Sequence, residues 1–126
     1  DDPANIVSQY VQGVSTPDSI DPGAYVLDEA LLKRSGQTAV QLGLFYDYKT
    51  NVDLYPQFQK FLRNSNIPVL LTWGKNDIIF SVDGAEAYKR DAKNLKIVYL
   101  DTGHFALESH AQEISKEIVE FVAPQL

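Results

Sequence analysis

The order of apolar and polar residues divides the chain in two. Across residues 1–66 the apolar positions recur at helical spacing. Ile6, Val7, Tyr10 and Val11 in DPANIVSQYVQG share one helix face, with Gly13 as a stop. STPDSIDPG is a cluster of turn formers and reads as a loop. Val26, Leu27, Ala30 and Leu31 lie on one face of a second helix ending near Gly36, and AVQLGLFYDY forms a third, weakened by Gly43. In VDLYPQFQKFLR the stripe Leu54, Phe58, Phe61 and Leu62 predicts an amphipathic helix, with Pro56 in its first turn.

From residue 67 the period changes. IPVLLTWG is short, nearly all apolar and closed by glycine, which suits a strand covered on both faces. DGAEAYKRDAKN then predicts a helix and LKIVYL a second strand. AQEISKEIVEFV closes as a helix with Ile114, Ile118, Phe121 and Val122 as its buried stripe. Strand, helix, strand, helix with short links is the pattern of a parallel α/β sheet. Two such strands are few for a doubly covered sheet, so the pattern reads as one end of a larger fold.

Chemistry-bearing residues sit at matched places in this pattern. Asp77 follows the carboxyl end of the first strand in TWGKNDIIF, and His104 follows the second in LDTGHFALE. Open parallel sheets gather their chemistry at that edge. Neighbouring strands would bring the two together, so that a carboxylate holds one imidazole nitrogen and the other is free to act as a general base. Histidine suits the task because its side chain titrates near ~6.5. Asp101, in the turn, and Glu108, opening the last helix, are competing partners for His104. His110 reads as an exposed first-turn residue of that helix. Trp73, at a strand end, reads as core.

Composition narrows the classes. The 126 residues are 44% hydrophobic and 22% charged, as in ordinary globular proteins, with a net charge of −6. That charge argues against nucleic acid as a partner. No apolar run is long enough for a membrane helix, and no membrane partner is expected. With no cysteine, thiolate nucleophiles and thiolate metal sites are excluded. Two histidines six residues apart with no matching third ligand give no metal site. The chain opens on Asp1 and lacks methionine throughout, so its start is expected to reflect processing or cleavage.

PVLLTWGKNDIIF, GAEAYKRDAKN and LDTGHFALE together resemble the carboxyl-terminal part of the α/β-hydrolase fold, close to the branch of epoxide hydrolases and haloalkane dehalogenases. The likeness covers residues 68–122, and LFYDYKTNVDLYPQFQKFLR resembles the segment joining that branch's helical cap to its core. The resemblance implies three divisions: the end of a cap over 1–50, a connecting helix over 51–66 and the carboxyl-terminal core over 67–126. It makes Asp77 the catalytic acid and His104 the catalytic histidine, with Tyr46, Tyr48 and Phe105 as candidate substrate contacts. The expected substrate is a small, mostly apolar ester, epoxide or haloalkane, with no cofactor. The family's nucleophile stands on a sharp G-x-S-x-G turn or its aspartate equivalent. None of the seven glycines brackets a serine or aspartate at that spacing, so the chain is expected to be inactive alone. It is expected to associate with itself or with an amino-terminal half, in a soluble, cytoplasmic protein. The competing hypothesis is a non-catalytic fragment that binds a ligand or partner.

Overall fold

Two parallel strands, β1 (Pro68–Gly74) and β2 (Asn94–Leu100), form the sheet in a computed structural model that describes residues 3–125, with side chains from Ile6 onward. Asp1, Asp2 and Leu126, the outer limits of the divisions 1–50 and 67–126, lie outside the described residues. Pro68 pairs with Asn94 and Gly74 with Leu100, so both strands end at the same edge. Four helices precede them: α1 (Pro3–Val11), α2 (Pro22–Leu32), α3 (Gln37–Asp47) and α4 (Lys49–Ser65). α5 (Val82–Ala87) links the strands, and α6 (Ala106–Val122) closes the chain.

Local signals set most boundaries. α1 stops before Gly13, whose φ of +83° is open to glycine at no steric cost. The turn segment makes a 3-10 turn at Pro17–Ser19 but hands Pro22 and Gly23 to α2. There Asp21 caps the helix by accepting from the Gly23 amide at 2.8 Å, and Pro22 supplies a first-turn residue with no amide to satisfy. Asn66 ends α4 in the left-handed region (φ 52°), which asparagine tolerates better than most residues.

Four expectations are corrected. Pro56 lies inside α4 rather than in its first turn, because the helix begins at Lys49. The helix after β1 ends at Ala87 and tightens into a 3-10 turn over Tyr88–Arg90. α6 starts at Ala106, ahead of the apolar stripe that announced it. Within that stripe Ile114 is buried and Phe121 half-buried, whereas Ile118 and Val122 are exposed.

Burial is uneven. A core of Tyr10, Val14 and Ile20, flanked by Val11, Tyr25 and Phe105, joins α1 and α2 to the loop after β2. The predicted faces of α2 and α4 are largely open: Val26, Leu27 and Leu31, then Phe58 and Phe61, are exposed. α2 packs instead through Ala24, Tyr25 and Asp28. In the strands only Gly74 and Leu100 are buried, so the expected cover on both faces is not supplied by the described residues.

What fixes the strand ends is backbone contact. A Cβ on Gly74 would lie 2.2 Å from the Gly103 carbonyl oxygen, and one on Gly103 only 1.9 Å from that of Gln12. A Cβ on Gly13 would meet the Asn76 carbonyl at 2.6 Å. Three glycines thus let the end of α1 and both post-strand loops touch main chain to main chain. Gly103→Ala is therefore expected to destabilise the fold by roughly 1–3 kcal/mol or more, since the clash is with backbone. Gly43→Ala, inside α3 with nothing within 4 Å, should gain roughly 0.5–1 kcal/mol. Denaturant melts of the two variants compare the effects directly.

Candidate functional site

The loops that leave β1 and β2 are tied to each other before any side chain is considered. The Lys75 amide donates to the Leu100 carbonyl (2.9 Å) and the Asn76 amide to that of Thr102 (3.1 Å), extending the parallel ladder past the strand ends. The Asn76 side-chain amide donates to the Gly13 carbonyl (2.8 Å) and to Asp101 (3.1 Å). Both partners only accept, so this edge of Asn76 must present nitrogen rather than oxygen.

On this frame Asp77 turns inward. Its Oδ1 accepts from the amides of Ile79 (2.8 Å) and Phe80 (2.9 Å), which closes a tight local turn and fixes the carboxylate. The Phe80 carbonyl in turn accepts from the Trp73 indole at 2.9 Å. Trp73 is half-buried, so it serves as a brace for this turn rather than as a core residue alone. The Asp77 side chain is 7% exposed.

His104 meets it from the other loop. Nδ1 lies 3.0 Å from Asp77 Oδ2 and 3.2 Å from Oδ1, with the histidine side chain 18% exposed. Burial acts most strongly on the carboxyl and pushes its pKa up. The Phe80 amide, the His104 contact and the Ile79 amide together outweigh it, and the net shift is down. Asp77 is thus ionised at neutral pH and can only accept, which places the proton on Nδ1 and leaves the lone pair on Nε2. Among the described residues Nε2 has no hydrogen-bond partner.

Aromatic rings frame the imidazole. Phe80 lies 5.2 Å away, tilted at 56°, and Phe105 meets it edge-on at 5.0 Å. Phe105 stacks on Tyr10 at 4.2 Å, and the Tyr10 hydroxyl donates to Asp28 at 2.7 Å. That hydrogen bond, with burial, pushes the Tyr10 pKa up to about 12, so the phenol remains a donor.

The competing acids are elsewhere. Asp101 pairs with Lys75 at 3.0 Å, and Glu108 stands in the first turn of α6. Tyr46 and Tyr48 are not brought to the pair: they are exposed, Tyr46 bonding Lys49 and Tyr48 bonding Tyr55, both at 2.8 Å. His110 is half-buried in the second turn of α6 rather than exposed in its first. Phe80 and Asn76 were not singled out in the sequence; an Asp followed by an aromatic three residues on was the available sign of the former. Among the described residues no cluster of three or more His, Asp or Glu side chains could hold a metal ion, and no helix is long and apolar enough to cross a membrane.

Comparison with known proteins adds three findings. A family model described as alpha/beta hydrolase fold matches residues 15–111. An uncharacterized hydrolase of Saccharomyces cerevisiae is 60% identical over 123 residues, 98% of this chain. The chain spans 42% of that relative's length. No solved structure matches.

Because the folded-state pKa of Asp77 lies below its ordinary 3.8, the carboxylate contributes stability that is complete above that value. The contribution is lost as pH falls through the lower folded-state pKa. Acid unfolding of wild type should therefore be steeper below about pH 4 than that of Asp77→Asn, which has no proton to take up. Parallel acid titrations followed by circular dichroism test this; superimposable curves would contradict it.

Proposed function

The chain belongs to the alpha/beta hydrolase fold family, and from that premise we propose that it carries the acid and the general base of a hydrolase. His104 Nε2 takes a proton from a nucleophile, or from the water that cleaves a covalent ester intermediate. Asp77 keeps the ring oriented and stabilises the imidazolium that forms. The observation that carries this reading is the 3.0 Å contact between Nδ1 and the Asp77 carboxylate, with Nε2 left open.

The sequence motifs support a finer placement beside the epoxide hydrolases and haloalkane dehalogenases, with a small, mostly apolar ester, epoxide or haloalkane as substrate. Phe80 and Phe105 give the histidine apolar walls that suit such a molecule. Residues 1–50 would end a helical cap and 51–66 would lead back to the core. Tyr46 and Tyr48, both exposed, would be substrate contacts from the cap side. The nucleophile would come from polypeptide beyond these 126 residues, which contain no nucleophile elbow.

The same reading accounts for the exposed apolar surface. Leu42, Leu44 and Phe45 on α3 and Phe58 and Phe61 on α4 are solvent-facing, and among the described residues each strand has one unpaired edge. Surfaces of this kind associate. The remainder of the same fold, or a second copy of the chain, would cover them.

A second reading has one observation behind it. A groove of about 360 Å³ runs between α4 and α5, lined in part by Tyr55, Phe58, Leu62, Trp73 and Tyr88, and does not include Asp77 or His104. A non-catalytic module could hold an apolar ligand there.

The 126-residue chain is expected not to turn over aryl esters, epoxides or haloalkanes above buffer, because its sequence holds no nucleophile elbow. In the full-length protein, Asp77→Asn and His104→Ala should each lower kcat by roughly 10²–10⁴-fold. Full activity in His104→Ala would end the proposal for this histidine, whereas no turnover in the wild-type full-length protein would favour the binding module. Light scattering should show the chain larger than 14.1 kDa, and a cooperative monomer blind to hydrophobic dyes would remove the assembly argument.

A further inference from the structure

Thr102 is the one polar residue in the described chain that is wholly buried, and it stands two residues before His104. Each of its polar groups is engaged. Its amide donates to the Leu100 carbonyl (2.8 Å), and its own carbonyl accepts from Asn76 (3.1 Å). Its hydroxyl shares a hydrogen bond of 2.7 Å with the hydroxyl of Ser109, in the first turns of α6. A buried hydroxyl left unpaired costs more than the bond itself contributes, so this partner is required.

The contact closes a short loop. Between its ends lie Gly103, His104, Phe105 and the start of α6. The next residue, His110, leaves the helical region (φ −128°, ψ 28°), although no proline or glycine lies between Ala106 and Ile114 to account for a break. Its Nδ1 lies 2.8 Å from the Ser109 hydroxyl. Ser109 is thus held between Thr102 on one side and His110 on the other, at the point where the helix bends. Its remaining contact, to the Ala106 carbonyl, is long at 3.4 Å.

We propose that Thr102 and Ser109 are positioning residues for His104, their hydroxyl pair closing the loop that carries the histidine, with His110 steadying Ser109. This rests on the reading of His104 as general base. Asp77 fixes the ring through Nδ1 but cannot fix the backbone from which the ring hangs. The rings of Phe80 and Phe105 supply non-directional contacts only. Directional restraint on the loop that carries His104 comes from the Asn76–Thr102 and Thr102–Ser109 bonds, with the Glu108 amide donating to the Phe105 carbonyl (3.0 Å) just after it. A base that must meet its proton at hydrogen-bond distance loses rate when its anchor loosens, while substrate affinity is largely kept.

The test uses the full-length protein with Thr102→Val, which keeps shape and loses the hydroxyl, Ser109→Ala, the double variant, and Thr102→Ser as a rescue. Two readouts are taken. The first is the downfield proton resonance of Nδ1–H, assigned by its loss in His104→Ala and Asp77→Asn. The second is steady-state turnover. Thr102→Val and Ser109→Ala should each broaden or shift that resonance and lower kcat by roughly tenfold, the scale of one hydrogen bond, with KM little changed. The double variant should be no worse than Ser109→Ala, which already removes both the Thr102 and the His110 contact. Thr102→Ser should restore both readouts. A wild-type resonance and kcat in Thr102→Val, with only the melting temperature lowered, would make the pair merely structural and overturn the proposal. If Thr102→Val fails to fold, Ser109→Ala against Ser109→Thr decides on the same readouts. A changed resonance with unaltered turnover would leave the restraint standing and remove His104 from catalysis instead.

Discussion

The approach of three main-chain segments at Gly13, Gly74 and Gly103 is the constraint on which the rest of the chain depends. Any side chain larger than hydrogen at these positions would push apart the end of α1 and the two post-strand loops. The gap matters because Asn76 bridges it, holding the Gly13 carbonyl and Asp101 with one amide. Asp77 is the next residue along. The geometry of the acid and the histidine is therefore inherited from backbone packing, with their own hydrogen bond as the last link.

This arrangement explains why Asp77 prevails over nearer acids in sequence. Asp101 is three residues from His104, yet its carboxylate faces Lys75 at the surface, where water screens the pair and little stability is gained. Asp77 is shielded, receives two backbone amides, and is aimed at the ring by the turn it closes. A buried carboxylate supplied with this many donors stays ionised, and that state decides which imidazole nitrogen is protonated.

Much of the strand–loop half was legible because its signals are local. The apolar runs ending in Gly74 and Leu100 gave both strands and their direction, and matched loops then placed Asp77 opposite His104. Signals that depend on distant partners were not legible. Nothing near Gly13 announces contact with Gly103, and nothing in SHAQE announces that Ser109 meets Thr102 and bends the helix at His110. Apolar periodicity found α2 and α4 but misjudged their burial, since a stripe shows which face wants cover and not whether the chain supplies it. Tyr46 and Tyr48, candidate contacts in the sequence, stand in α3 and at the junction of α3 and α4, bonded to Lys49 and Tyr55.

The bridge from Asn76 to Gly13 spans 63 residues of sequence. Loops of that length close slowly, since their entropy is lost before the contact forms, although each doubling of length adds only about 0.6 kcal/mol. The helices α1 to α4 and the unit β1–α5–β2 are all shorter-range structures that can form first. The acid–histidine pair lies within the later unit, but its frame includes the end of α1. The loops after β1 and β2 are near each other in sequence and can meet early, whereas their contacts with Gln12 and Gly13 require the first helix to return. A ribosome releases α1 before either strand, so the bridge at Gly13 has to wait until the loop after β1 has emerged.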